Sequence, residues 1–147
     1  AGLVGADSRN SGSSVSVALA RPYGAWTWRA QAWATRSDLA NASVAVAPDR
    51  AATTPANDQI ATPAFGWGAN AALRWTGADA GVEIGADIRA ADGETRELFR
   101  FVASEFTRTR VAGGETLVAG AYAEAWHEVG DWLLSGGARA DQWEATN

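Results

Sequence analysis

The 147-residue sequence contains no cysteine, and its only histidine is His127. Without cysteine, a disulfide framework and a thiolate metal site are both excluded. A Ser-His-Asp triad would have to use His127, which abuts a predicted turn and which we interpret as an interfacial polar residue. Carboxylates such as Glu83 and Asp87 are better explained as wall residues paired with arginines than as metal ligands. The sequence therefore predicts no catalytic residue, no metal site and no cofactor, and we expect no enzyme activity.

Lysine is also absent, and the formal net charge is −5. The twelve arginines are scattered rather than gathered into a basic patch, which argues against nucleic acid as a partner. No run of about 18 apolar residues exists, which excludes a membrane-spanning helix but not a transmembrane strand. The first residues resemble no signal peptide, and we expect the chain to be a mature or excised piece.

The chain is instead rich in tryptophan, alanine and glycine. Eight tryptophans and few large aliphatic residues are an unusual inventory for a soluble core. Apolar and polar residues alternate with a period of two, which predicts β-strands. The six predicted strands cover residues 13–21, 25–36, 65–75, 81–90, 116–127 and 132–142.

The clearest predicted unit is a hairpin around residues 77–80. Pairing its strands sets Arg74 opposite Glu83 and Asn70 opposite Asp87. The polar face of this hairpin can therefore satisfy its own charges across the strands.

The predicted connections alternate between short and long. They cover residues 22–24, 37–63, 77–80, 91–114 and 128–131. The polar stretch 7–14 is predicted to be a loop. In the second long connection Leu98, Val102 and Phe106 are spaced by four, so a short helix and extended strand ends are both compatible with the sequence. Short turns on one side and long loops on the other are typical of up-and-down outer-membrane barrels.

Aromatic residues support the same arrangement. Several lie within a few residues of a short turn, where an interfacial girdle would be, namely Tyr23, Trp26, Trp28, Trp75, Trp126 and Trp132. Eight mid-strand charges lie opposite the mainly apolar face, namely Arg29, Arg74, Glu83, Asp87, Arg89, Glu124, Arg139 and Asp141. An arginine pointed into lipid at the bilayer midplane would cost roughly 2–4 kcal/mol, so a membrane would fix this register.

The same alternation also fits a soluble β-sandwich or lipocalin-like barrel with the apolar face turned inward. Alanine and glycine dominate that face between its aromatic ends. Lipid tails conform to a surface of small residues, whereas a packed core built from them would contain voids. We therefore favour the membrane arrangement.

Several stretches resemble consecutive barrel strands of a TonB-dependent outer-membrane receptor. They are Ser8–Gly12, Arg21–Trp26, Gly85–Arg89, Gly93–Phe101, Phe106–Gly114, Ala119–Glu124 and Gly136–Trp143. The resemblance spans nearly the whole chain. The chain has no recognisable TonB box, plug domain or terminal strand ending in an aromatic residue, and six strands are far fewer than the roughly 22 of a full transporter barrel.

The resemblance implies that residues 1–147 are an internal fragment of such a barrel, an all-β antiparallel meander of about six strands in the outer membrane of a Gram-negative bacterium. The parent would take up a scarce, large nutrient with energy from the TonB complex, and the expected nutrient is an iron–siderophore complex. The implied partners are outer-membrane lipid, the rest of the barrel with its plug, the TonB complex through the parent, and the ligand.

One predicted outer loop combines arginine with phenylalanine. Ion pairing and stacking there would suit an anionic, aromatic chelate. The candidate ligand residues are Arg96, Glu97, Phe99, Arg100, Phe101, Arg108 and Arg110. A solvated loop explains the same residues without a ligand. Two other functions remain open: another outer-membrane barrel, such as a porin or adhesin, and a soluble β-sandwich that binds carbohydrate.

Overall fold

In the computed structural model, which describes residues 3–147, the chain forms one antiparallel β-sheet. Its seven strands are β1 (Asp7–Tyr23), β2 (Trp26–Val46), β3 (Thr53–Ala61), β4 (Ala64–Thr76), β5 (Ala80–Val102), β6 (Glu105–Val129) and β7 (Trp132–Thr146). Every paired strand runs antiparallel to its neighbour. The prediction of an all-β, antiparallel up-and-down meander is confirmed.

Strands β3 and β4 together occupy one position in the sheet, between β2 and β5. β4 pairs with the first part of β2 and β5, and β3 pairs with the parts of β2 and β5 beyond it. The break falls at Thr62 and Pro63, because proline has no N–H to give to a ladder. The Thr62 N–H donates instead to Asp38 Oδ1 at 2.8 Å. One interrupted strand thus explains why seven strands form where six were predicted.

The prediction of long loops at 37–63 and 91–114 is wrong for most of their length, whereas the extended strand ends that the sequence left open in the second segment are confirmed. β2 continues to Val46 and β5 to Val102, so both segments are hairpin extensions. Backbone hydrogen bonds to the neighbouring strands order these segments, although their side chains alternate poorly. Such pairing does not require a particular side-chain pattern, so the sequence does not predict it. Residues 98–106 are likewise strand and turn rather than helix, and the predicted loop at 7–14 lies within β1, paired with β2.

The central hairpin has the predicted register. Arg74 lies opposite Glu83, and Asn70 lies opposite Asp87. This register defines two faces on β5. The apolar face carries Val82, Ile84, Ala86 and Ile88 with their pairing partners, and the polar face carries Glu83, Gly85, Asp87 and Arg89 with theirs.

The sheet has no second layer against which to bury its apolar face. Among residues 3–147 no hydrophobic residue is buried. The accessible surface is 10,670 Å², whereas a compact monomer of 15.3 kDa would expose about 7,100 Å². The terminal strands β1 and β7 each pair on one side only. Nothing in the described part of the chain is a helix long and apolar enough to cross a membrane.

Candidate functional site

A buried carboxylate lies at the centre of the polar face. Glu83 is only 1% exposed, although the sheet is a single layer. Its Oε2 accepts a hydrogen bond from Arg74 Nε at 2.7 Å, and its Oε1 accepts one from the Tyr122 hydroxyl at 2.6 Å. Arg29 Nη2 also bonds to Oε1. These three side chains cover Glu83 and occupy both of its oxygens.

Small residues allow this convergence across four strands. Arg29 on β2 reaches Glu83 across β4, where its own partner is Ala72. Ala72 pairs in turn with Gly85, whose partner on the other side is Tyr122. A Cβ at Gly85 would lie 2.4 Å from Tyr122 Cε1, so the tyrosine ring needs glycine at that position. We define the Glu83 cluster as Arg29, Arg74, Glu83 and Tyr122. The small residues Ala72 and Gly85 leave the space in which these side chains meet.

Tryptophan rings cover glycines in the same way on either side of this cluster. The Trp126 ring lies over Gly81, where a Cβ would be 1.9 Å from Cζ2, and the Arg74 guanidinium lies 5.4 Å from the Trp126 ring centroid. The Trp33 ring covers Gly68 in the neighbouring pair of strands. Trp33 therefore shields backbone on the polar face. So does Trp126, which was expected in the aromatic girdle but lies on the face opposite the apolar one.

A second ionic group lies further along the polar face. Arg139 on β7 contacts Asp87 on β5, with 2.8 Å between Nη1 and Oδ2, and Arg139 Nε donates to Asp141 Oδ2 at 2.9 Å. Gly120 on β6 lies between Asp87 and Asp141 in register, and a Cβ there would meet the guanidinium. One arginine is thus shared between two carboxylates, whereas in the Glu83 cluster one carboxylate is shared between two arginines.

The predicted ligand residues lie on strands at the far end of the β5–β6 hairpin rather than in a loop. Arg110 Nε donates to Glu97 Oε2 at 2.9 Å, and its guanidinium lies 5.7 Å from the centroid of the Phe99 ring. Because Glu97 pairs with Arg110 and Phe99 with Arg108, these four share one face. The prediction that this group binds a ligand stays a prediction.

The other three candidate residues have different environments. Arg96 pairs with Glu94 through Nε and Oε1 at 2.5 Å. The Phe101 ring packs edge-on against Phe106, with 5.2 Å between centroids. Arg100 has a φ of 61°, and its carbonyl accepts a hydrogen bond from the Thr107 hydroxyl at 2.9 Å. Arg96 and Arg100 therefore do not join the shared face of Glu97 and Phe99.

Sequence reasoning identified only one contact of the Glu83 cluster, the pair with Arg74. Arg29 and Tyr122 are 54 and 39 residues from Glu83, and no local spacing links them. The available signal was the row of small residues on facing strands, which leaves room for long side chains to cross.

The arrangement provides fixed charges and aromatic surface. His127 lies at the end of β6, with 3.0 Å between Nδ1 and the carbonyl oxygen of Asp79. Residues 3–147 bring together no group of three or more His, Cys, Asp or Glu side chains that could hold a metal ion.

No family model matches this sequence, and no curated protein matches it.

Proposed function

We propose that this chain is part of the wall of a TonB-dependent outer-membrane transporter that takes up a large scarce nutrient such as an iron–siderophore complex. The observation that supports the membrane location most is the uncovered apolar face of a single sheet, with the charged residues on the other face. In water this face would stay exposed, whereas lipid tails would cover it and leave the polar face toward the barrel interior.

The distribution of side-chain size on the apolar face fits lipid contact. Ala71 and Ala86 pair at the middle of the β4–β5 hairpin. Trp28 and Trp132, close to the short turns, are 40% and 75% exposed. Aromatic rings near the strand ends and small residues between them match an interfacial girdle around a hydrocarbon band.

The transporter assignment rests on the sequence resemblance. The extended β2–β3 and β5–β6 hairpins would project from the cell surface, and the turns at 24–25, 77–79 and 130–131 would face the periplasm. The unpaired edges of β1 and β7 would continue into the remaining strands, the plug would fill the interior, and the TonB complex would act on the parent protein. One sheet rather than two packed sheets weighs against the soluble sandwich.

Fluorescence quenching by brominated lipids tests the membrane part of the proposal. Trp28 and Trp33 lie on β2, five residues apart and on opposite faces. In single-tryptophan variants refolded into vesicles, we expect quenching of Trp28 and little quenching of Trp33, which serves as the matched control. Equal quenching of the two residues, or a monodisperse chain in buffer without any quenching, would contradict the proposed lipid face.

Uptake by the parent protein tests the transporter part. We expect that deleting the coding region for residues 53–102 abolishes uptake of radioactive ferric siderophore while the passive entry of small solutes is unaffected. Uptake that persists without TonB would instead favour a porin, and normal uptake combined with lost cell adhesion would favour an adhesin.

A further inference from the structure

The Glu83 cluster carries two positive charges and one negative charge, and Glu124, which lies opposite Glu83 on β6, forms no ion pair with either arginine. Arg29 and Arg74 each contribute one positive charge, and Glu83 contributes the single negative charge between them. Glu83 is almost wholly covered, with a side chain that is 2% exposed, whereas the side chains of Arg29 and Arg74 are 49% and 44% exposed. The negative charge is therefore buried and the positive charge is accessible.

The guanidinium groups also have donors to spare. Arg29 uses Nη2 for both of its hydrogen bonds, to Glu83 and to Tyr122, and Arg74 uses Nε. A guanidinium has five N–H donors in a rigid fork, so most donors of both groups remain open on the polar face. Because the Glu83 carboxylate bonds to both arginines, their guanidinium groups are already held close together. A ligand that binds them therefore has to order these two side chains less, which lowers the entropic cost of binding.

A cavity lies beside these donors. It has a volume of about 300 Å³ and is lined by Thr27, Arg29, Ala72, Arg74, Thr76 and Glu83. Thr27 is the pairing partner of Arg74, so its hydroxyl lies on the same face as the guanidinium. The cavity therefore combines two fixed cations, hydroxyl groups and a floor made by a small residue.

We infer that this cavity binds the carboxylate group of a small organic acid between Arg29 and Arg74. A carboxylate matches the site in charge, because one negative charge brings Arg29, Arg74 and Glu83 to neutrality. Its two oxygens can each accept a hydrogen bond from a different arginine, as the two oxygens of Glu83 already do. The site is on the polar face, and it does not depend on lipid contact at the apolar face.

Trp126 provides a direct readout, since its ring lies against the Arg74 guanidinium. The 147-residue chain, labelled with 5-fluorotryptophan and refolded in neutral detergent micelles, would be titrated with sodium propionate and observed by fluorine NMR. The Trp126 resonance is assigned by its loss in Trp126→Phe. We expect a saturable shift of this resonance, and no comparable shift with sodium chloride at equal ionic strength.

Three variants decide the outcome. We expect Arg29→Gln to weaken propionate binding at least about ten-fold, and Arg139→Gln, which removes an arginine from the other ionic group, to leave it unchanged. If Arg29→Gln does not fold, Arg29→Lys keeps the charge but loses the fork, and binding should still weaken several-fold. A missing shift, an equal shift with chloride, or unchanged binding in the Arg29 variants would overturn the inference. None of these results bears on the lipid face, which the quenching experiment tests separately.

Discussion

A buried carboxylate is the feature of the polar face with the greatest energetic consequence at the scale of single residues. Glu83 has lost its contact with water and depends on Arg29, Arg74 and Tyr122 for every hydrogen bond. Removing the charge from such a group is costly, because the partners then keep their charges with a weaker acceptor. The side chains of Arg29 and Arg74 are about half exposed, so water can replace part of the lost hydrogen bonding, which limits the loss of stability.

We expect Glu83→Gln to lower the free energy of unfolding by about 1.5–3 kcal/mol, the range for hydrogen bonds to charged groups. Glu124→Gln is the matched control, because Glu124 lies directly opposite Glu83 on β6 and is exposed. Its effect should stay within about 0.5 kcal/mol. Urea unfolding in micelles measures both variants, and equal effects would mean that the burial of Glu83 contributes no stability.

Two glycines on opposite faces should respond to alanine with opposite signs. A Cβ at Gly81 would lie 1.9 Å from the Trp126 ring, whereas a Cβ at Gly136 would meet nothing within 4 Å. We expect Gly81→Ala to destabilise the chain by about 1–3 kcal/mol through overpacking. Gly136→Ala should stabilise it by about 0.5–1 kcal/mol through reduced backbone entropy.

A double variant separates overpacking from other effects of Gly81→Ala in the same urea unfolding assay. In Trp126→Ala the ring is gone, so adding Gly81→Ala should cost much less there than in the wild-type chain. Additive effects of the two substitutions would show that contact between the ring and the new methyl group is not the cause.

At the scale of strands, the sequence predicted alternation well and strand length poorly. The register of Arg74 with Glu83 followed from period two and a tight turn, both of which are local signals. The segment 37–63 was predicted as a long connection because it contains three prolines, and the segment 91–114 because its side chains alternate poorly. Backbone pairing with a neighbouring strand stabilises them, and neither that pairing nor the long-range convergence of Arg29 on Glu83 is encoded in local spacing.

The tip of the β5–β6 hairpin allows a test at this scale. Ala103 and Ser104 have φ angles of 52° and 70°, a conformation that asparagine and glycine adopt more easily. Together, Ala103→Asn and Ser104→Gly should stabilise the tip by about 0.5–1 kcal/mol. Hydrogen exchange of the Phe101 and Phe106 amides should slow by about 2–5-fold, from the same energy range. Ser104→Val should speed it, and slower exchange in Ser104→Val would contradict the turn assignment.

At the scale of the whole molecule, the sheet exposes about half as much surface again as a compact protein of its mass. Its two faces differ in chemistry, and its two edges are unpaired. The apolar face of such a sheet has to be covered by an apolar environment, and the unpaired N–H and C=O groups of its edges have to be paired by neighbouring strands. The proposed barrel supplies both, and the nature of the apolar environment can be tested by substitution.

Ala86 distinguishes lipid from a packed protein interior. It lies on the apolar face between Ala71 on β4 and Ala121 on β6, and it lines a shallow cavity of about 500 Å³. In a close-packed core, Ala86→Leu would overfill the space and cost about 1–3 kcal/mol. Against lipid, the tails move aside, so we expect Ala86→Leu to be neutral or stabilising in urea unfolding from vesicles. Ala86→Arg should cost about 2–4 kcal/mol there, while Asn70→Arg, on the polar face opposite Asp87, should cost far less. A marked loss of stability in Ala86→Leu would show that this face packs against protein.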